Sequence, residues 1–189
     1  MTRLWLVRHG PTHAKAMVGW SDIPADLSDT AAIARLRTYL PEAPVVSSDL
    51  SRAVATADAL HPAQRLPNDP ALREIHFGAW EMMTFAEVEA KDPARIRAYW
   101  ETPGDIAPPD GESWNAVCAR VNSAIDSYLA RGLPNLIVVA HFGAILTQVQ
   151  RAKGISGYAA FGHRIDNLSV TDLAHDGSDW HIGAINHKP

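Results

Sequence analysis

The sequence predicts an α/β fold, a three-layer α/β/α sandwich with a mostly parallel central sheet. Short apolar runs alternate with amphipathic segments along the chain, as in folds that place helices on both faces of a sheet. The run 136–140 is continuously apolar, which is typical of a central strand that is buried on both faces. The length of 189 residues suits one domain, so we expect a single domain over residues 1–189.

The first half of the chain predicts two strands and two helices. Ser28 and Asp29 can cap a helix that ends near Leu40, and Asp49 is expected to cap a second helix over 50–60. Two prolines that follow Leu40 stop the first helix, because proline cannot continue one. Over the whole chain, strands are predicted at 3–7, 45–47, 136–140, 168–173 and 180–185.

Three further helices are predicted in the second half. Residues 82–100 have a helical pattern with a break at Asp92-Pro93, since the residue before a proline avoids the helical conformation. A loop rich in proline and glycine follows over 102–112. Apolar residues four apart predict a long amphipathic helix over 113–131, and another helix follows from 142 to about 152.

Composition excludes several classes of function. The net charge of -4 leaves no basic footprint for nucleic acid, and no apolar run is long enough to span a bilayer. No signal peptide is expected at the N-terminus. The single cysteine, Cys118, is predicted to be a buried apolar side chain, and a reducing cytoplasm is the simplest compartment. We expect a monomer or a homodimer that binds neither nucleic acid nor membrane.

Basic side chains follow two of the predicted strands at the point where each strand ends. Arg8 and His9 follow the first strand, and His141 follows the strand 136–140. Parallel strands end at the same edge of a sheet, so the two histidines are expected to face each other there. Arg52, near the start of the second helix, adds a guanidinium to that edge, and Glu74 can reach it. Two arginines and two histidines predict a phosphate site.

The chain resembles the histidine phosphatase superfamily, the phosphoglycerate mutase-like group, over nearly its whole length. The Arg-His-Gly-Pro-Thr start, a second arginine motif, an acidic motif, a Gly-Glu-Ser loop and a second histidine motif occur in the family's order. Each motif is weak alone, whereas five in sequence are specific. They lie at 6–12, 47–57, 72–81, 109–113 and 138–141.

The resemblance implies a role for each site residue. His9 is the implied nucleophile, which forms a phosphohistidine without a metal or another cofactor. Arg8, Arg52 and His141 are implied to bind the phosphate oxygens and to stabilise charge in the transition state. Glu74 is the implied acid that protonates the leaving oxygen and then activates water. Glu81 lies in the same motif and is the alternative acid, although motif position favours Glu74.

Several positions depart from the family pattern, and they bear on substrate choice. Thr12 fits the pattern, whereas Lys15 stands where many members have a phosphate-contacting asparagine, and it is expected to contact the anion as a point charge. Phe142 replaces the glycine that usually follows the second histidine, and it is expected to narrow the pocket. Met82 replaces a common glycine. A zinc helix that uses His9 and His13 is disfavoured by the Gly-Pro pair between them.

The resemblance therefore implies a phosphomonoesterase that acts on a small phosphorylated metabolite. The motif around 77–81 and the short chain resemble the alpha-ribazole phosphatase branch, so alpha-ribazole 5′-phosphate is a candidate substrate. Two alternatives stay open at this point: phosphoryl transfer of the phosphoglycerate mutase type, and a non-catalytic phosphate-binding protein on the same fold.

Overall fold

A five-stranded sheet lies at the centre of the molecule, in a computed structural model that describes all residues from 1 to 189. The strand order is β2-β3-β1-β4-β5. The pairs β1–β3 and β2–β3 are parallel, whereas β4 runs antiparallel to β1 and β5 antiparallel to β4. The strands are β1 Thr2–Arg8, β2 Val45–Ser47, β3 Asn135–Ala140, β4 Val170–His175 and β5 Trp180–Ile182.

The pairing of β1 with β3 fixes where the two histidine motifs meet. Arg8 pairs with Ala140 in the parallel register, so the residues that follow each of them emerge side by side. The backbone N–H of His9 donates to the carbonyl of Ala140 at 3.1 Å and extends the ladder by one bond. Residues 136–140 are all buried, which confirms the prediction of a central strand covered on both faces.

Helices cover both faces of the sheet, and each face has its own core cluster. Leu4, Leu6 and Val138 face the larger cluster, which includes residues of α4, α5 and α6. Val7 and Val139 face the smaller cluster, where α1 and α2 pack. The predicted three-layer sandwich is thus confirmed. The helices are α1 Thr30–Tyr39, α2 Ser51–Ala59, α3 Phe85–Glu89, α4 Pro93–Glu101, α5 Trp114–Leu129, α6 Phe142–Lys153 and α7 Gly157–Phe161.

Some local predictions differ from the structure. The prediction that Asp49 caps α2 is wrong, because the cap residue is Leu50 and Asp49 binds the Arg73 guanidinium at 2.7 and 2.6 Å. A salt bridge to a distant segment thus outcompetes the local cap. The helix predicted over 82–100 is interrupted at Asp92, as expected, but its first three residues form a turn rather than helix.

The structure bears on two expectations from the sequence, one about Cys118 in α5 and one about membrane-spanning helices. Cys118 is half-buried against the larger core, and burial raises the pKa of its thiol to about 11. It packs as a small apolar side chain, but it is half-buried rather than buried as predicted. None of the helices is both long and apolar enough to cross a membrane.

Candidate active site

His9 and His141 face each other at the carboxyl edge of the sheet. Their ring centroids are 5.0 Å apart and the ring planes are inclined by 60°. Both side chains are buried. The arrangement follows from the parallel register of β1 and β3, as the sequence predicts.

The hydrogen bond of His9 fixes which ring nitrogen is free to react. Its Nδ1 lies 2.7 Å from the carbonyl oxygen of Gly10. A carbonyl only accepts, so Nδ1 carries the proton of the neutral ring and Nε2 keeps its lone pair. Burial lowers the pKa of His9 to about 3, and the positive charges of Arg52 and Arg8 act in the same direction. The imidazole is therefore neutral at physiological pH, as a nucleophile requires.

His141 supplies a second neutral imidazole. Neither of its ring nitrogens has a hydrogen-bond partner within the protein, although both are buried. Burial, followed by the neighbouring His9, Arg52 and Arg8, holds the pKa of His141 well below its ordinary value. A buried polar group without a protein partner is costly, so these nitrogens are suited to a ligand that enters the site.

Two guanidinium groups lie beside the histidines, and neither forms a salt bridge. Arg52 is buried and donates from Nη1 to the carbonyl of Ser21 at 2.9 Å and from Nη2 to that of Gly19 at 2.6 Å. Arg8 donates from Nη1 to the carbonyl of Ile165 at 2.6 Å. Burial lowers the pKa of both arginines. A buried and a half-buried cation, neither in a salt bridge, favour binding of an anion that compensates their charge.

Glu74 lies at the same edge and has the properties of an acid. Its carboxyl accepts hydrogen bonds from the backbone N–H groups of Ile75 and Gly143, each at 2.9 Å. Burial raises the pKa of Glu74, and it outweighs these hydrogen bonds and the charges of Arg52 and Arg8, which lower it. A Cβ at Gly143 would collide with the Glu74 carboxyl, so this glycine lets α6 begin directly above the acid.

Glu81, the alternative acid, has a different environment. Its carboxylate accepts from the backbone N–H groups of Gly19, Trp20, Ser21 and Phe77, and from the Ser21 hydroxyl. Burial raises its pKa, but these hydrogen bonds outweigh burial, and the net pKa is lowered. An ionised carboxylate whose oxygens are occupied cannot serve readily as a proton donor. The geometry therefore supports Glu74 over Glu81 as the acid.

A family model described as the histidine phosphatase superfamily, branch 1, matches residues 4–188. The chain belongs to the histidine phosphatase superfamily. The phosphoglycerate mutase-like fold that the resemblance implies is also shown, because solved members of this group superpose over nearly the whole chain.

Named relatives of this superfamily member include both phosphatases and a mutase. A probable phosphoglycerate mutase GpmB of Proteus mirabilis is 28% identical, with 95% of this chain and 88% of the relative covered. A glucosyl-3-phosphoglycerate phosphatase of Mycolicibacterium vanbaalenii is 34% identical, with 96% and 88% covered. The structure of a putative alpha-ribazole-5′-P phosphatase of Escherichia coli is 26% identical, with a TM-score of 0.84 and coverage of 99% and 97%.

The side chains around the rim of the site make few contacts within the protein. Lys15 is exposed and makes no hydrogen bond or salt bridge, so its predicted phosphate contact stays a prediction. The hydroxyl of Thr12 accepts from the N–H of Ala14 at 3.4 Å. Phe142, the first residue of α6, lies with its ring centroid 5.6 Å from the Arg8 guanidinium. The ring thus lies beside one of the two site arginines, and its predicted narrowing of the pocket stays a prediction.

The conformations of Met82 and His13 bear on two features noted in the sequence, the replaced glycine and the disfavoured zinc helix. Met82, which replaces a glycine, has a φ of +61°, in the left-handed region that favours glycine. His13 lies in a loop and binds Asp26 at 2.8 Å, away from any helical His9–His13 pair. No three His, Cys, Asp or Glu side chains are grouped in a way that could hold a metal ion.

Two contributors to the site were not predicted. The Asn167 side chain donates to the backbone carbonyl of His9 at 2.9 Å and holds the end of β1 in place. No local pattern marks Asn167, because it lies far from His9 in sequence. The second is the backbone N–H of Gly143, whose contact with Glu74 depends on the tertiary fold.

Proposed function

We propose that this chain is a metal-independent phosphomonoesterase that hydrolyses a small phosphorylated metabolite through a phosphohistidine on His9. The observation that carries the proposal is the neutral His9 ring, whose Nδ1 proton is held by Gly10 and whose Nε2 is free. Around it lie Arg8 and Arg52, neither of which forms a salt bridge. The neutral His141 and the Glu74 carboxyl, whose pKa is raised, complete the group.

In the first step, Nε2 of His9 attacks phosphorus and the bond between phosphorus and the ester oxygen breaks. Arg8, Arg52 and His141 bind the non-bridging oxygens, where negative charge is spread in the transition state. Glu74 gives its proton to the departing oxygen, so the product leaves as an alcohol. The raised pKa favours the protonated form of Glu74, which suits an acid catalyst.

In the second step, the Glu74 carboxylate accepts a proton from water as the water oxygen attacks the phosphoryl group. The bond between phosphorus and Nε2 breaks, inorganic phosphate is released and His9 returns to its neutral form. Glu74 regains its proton, so the cycle closes without an outside acid or base. The raised pKa makes Glu74 a stronger base than an exposed glutamate in this step.

Alpha-ribazole 5′-phosphate is the candidate substrate, and glycolytic mutase transfer is the second candidate function. A structural neighbour titled as an alpha-ribazole-5′-P phosphatase supports the first, and a relative named as a phosphoglycerate mutase supports the second. We favour hydrolysis because a 34% identical relative and a structural neighbour that covers nearly the whole chain are both named as phosphatases. The single cysteine supports a cytoplasmic site of action.

A hydrolysis screen over phosphorylated metabolites tests the proposal. The panel includes alpha-ribazole 5′-phosphate, glucosyl-3-phosphoglycerate and both phosphoglycerates, each with and without a chelator. We expect release of inorganic phosphate from at least one ester, unchanged by chelator, and an acid-labile phosphoenzyme. Loss of activity in chelator contradicts the metal-free mechanism. Interconversion of the phosphoglycerates without phosphate release favours the mutase, and no turnover of any ester favours a binding protein.

A further inference from the structure

Residues 19–21 form a strap that lies between Arg52 and Glu81. The carbonyl oxygens of Gly19 and Ser21 point toward the guanidinium and accept from it at 2.6 and 2.9 Å. The N–H groups of the same two residues point the opposite way, toward the Glu81 carboxylate, at 3.0 and 3.3 Å. The peptide groups are thus held between a cation on one side and an anion on the other.

The Glu81 side of the strap is fully used. Trp20 adds its N–H at 2.7 Å, the Ser21 hydroxyl adds a bond at 2.8 Å, and the N–H of Phe77 adds one at 3.1 Å. Hydrogen bonds to an ionised group are stronger than neutral ones, so the carboxylate fixes the strap's orientation more firmly than water would. Glu81 has no salt-bridge partner, and these donors together replace one.

The strap tolerates little displacement. A Cβ at Gly19 would collide with the carbonyl oxygen of Ile75 and with the Glu81 carboxylate, so the backbone packs closely on both. The indole N–H of Trp20 donates to the carbonyl of Glu74 at 2.9 Å, which ties the strap to the proposed acid as well. A movement of the strap therefore moves the groups that hold Arg52 and the backbone that carries Glu74.

We propose that Glu81 is a positioning residue, which fixes the Arg52 guanidinium for phosphate binding through the backbone of residues 19–21. This inference rests on the proposed function, since it assigns Arg52 to the phosphate. Two of the guanidinium's N–H groups are committed to the strap, and their direction sets where the remaining N–H groups point. A bidentate donor misplaced by about 1 Å can lower the rate about 100-fold.

The test measures phosphate affinity as well as turnover. Glu81→Gln replaces one acceptor oxygen by an NH2 group that faces N–H donors, and it is expected to raise the Kd for inorganic phosphate about tenfold. We expect kcat/KM to fall about 100-fold. Ser21→Ala removes only the hydroxyl bond to Glu81 and is expected to raise the Kd about twofold. It serves as the second variant where Glu81→Gln fails to fold. Calorimetry with inorganic phosphate gives the Kd.

Asp172→Asn is the matched control. Asp172 is likewise a buried carboxylate that accepts from a backbone N–H, that of Ala184, and it also binds Arg3 at 3.0 Å, on β4 rather than at the site. The control is expected to lower the Tm while leaving the phosphate Kd unchanged, whereas Ser21→Ala raises it. A double-mutant cycle adds Arg52→Lys. If Glu81 acts through Arg52, then Glu81→Gln has little further effect on the Kd in that background.

The outcomes separate this inference from the proposed function. Wild-type protein that binds phosphate but hydrolyses no ester contradicts the proposed function and leaves the phosphate test of Glu81 intact. Wild-type turnover, combined with Glu81→Gln and Ser21→Ala variants that lower only the Tm, overturns the positioning role. Additive effects of Glu81→Gln and Arg52→Lys on the Kd overturn it too.

Discussion

The floor of the active site and its rim are built in different ways. Four of the five floor residues lie at strand ends or helix starts, the fifth, Glu74, lies in the irregular connection 73–77, and most of them are buried. The rim residues lie on the long loop 10–29, on the turn 81–83 and at the first residue of α6, and several are exposed. The floor comprises His9, His141, Arg8, Arg52 and Glu74; the rim comprises Thr12, Lys15, Met82, Met83 and Phe142.

The floor and the rim differ in how much their side chains lower the stability of the fold. The floor contains a buried and a half-buried arginine without salt bridges, two buried histidines that are kept neutral and a buried glutamate with a raised pKa. These groups stabilise a ligand and a transition state rather than the empty fold. Floor substitutions should therefore remove activity at little cost in stability. Rim substitutions should change substrate choice or stability and leave the reaction type unchanged.

The largest expected effect is that of His9→Ala. Removing the nucleophile should lower kcat/KM by about four orders of magnitude or more, because no phosphohistidine forms. The control is His13→Ala on the rim, four positions along the chain, which is expected to stay within about threefold of wild type. Steady-state kinetics and detection of the phosphoenzyme measure both. Activity of His9→Ala comparable to that of His13→Ala contradicts the proposed nucleophile.

The His9→Ala variant also tests how the lowered pKa of His9 affects stability as the pH falls. The His9 pKa is lowered from its ordinary value to about 3, so the folded protein resists a proton that the unfolded chain accepts. Its contribution to stability is present above about pH 6.5 and is lost as pH falls toward 3. His9→Ala should therefore lose less Tm than wild type between pH 7 and pH 5. An equal loss in both contradicts the linkage.

Glu74→Gln is expected to have the next largest effect, and it depends on the leaving group. Without the acid, kcat/KM for an alkyl phosphate should fall about 100- to 1000-fold. A nitrophenyl ester, whose leaving oxygen needs little protonation, should be affected far less in the phosphohistidine-forming step. Single-turnover kinetics on the two esters measure that difference. An equal loss of rate on both esters contradicts the role of Glu74 as the acid.

The dependence of activity and stability on pH tests the role of Glu74. Glu74 must be protonated to act as the acid, so the activity should decline as pH rises through its raised pKa. Burial of the charged form also costs the fold stability, so stability should be lost as pH rises above glutamate's ordinary pKa. Glu74→Gln should remove both alkaline declines. A persisting alkaline decline in that variant assigns it to another group.

A smaller effect is expected for Phe142→Gly on the rim. Its ring lies near the Arg8 guanidinium, which is proposed to bind phosphate, so removing the ring should admit bulkier esters. We expect kcat/KM for a bulky aryl phosphate, relative to a small alkyl phosphate, to rise about tenfold, as the loss of a steric contact worth about 1–3 kcal/mol allows. An unchanged ratio shows that Phe142 does not limit access.

The sequence predicts the floor better than the rim for a physical reason. His9 and His141 follow strands whose apolar patterns predict parallel neighbours, so local patterns place them together. Glu81 could not be assigned from the sequence, because its donors come from a loop about 60 residues earlier. The prediction that Asp49 caps α2 was wrong for the same reason, because Arg73 binds Asp49 from a distant segment. The antiparallel pairing of β4 with β1 likewise depends on tertiary packing rather than on apolar pattern.

The smallest expected effect is that of Met82→Gly, and it has the opposite sign to most substitutions. Met82 has a φ of +61° and is 49% exposed, so its side chain gains little from burial while its backbone is strained. Relief of this strain should stabilise the protein by about 1 kcal/mol. Met83→Gly is the control, because Met83 is half-buried against the core and should cost about 2 kcal/mol. Urea unfolding measures both. Destabilisation by Met82→Gly would mean that the exposed side chain contributes more than its strain costs.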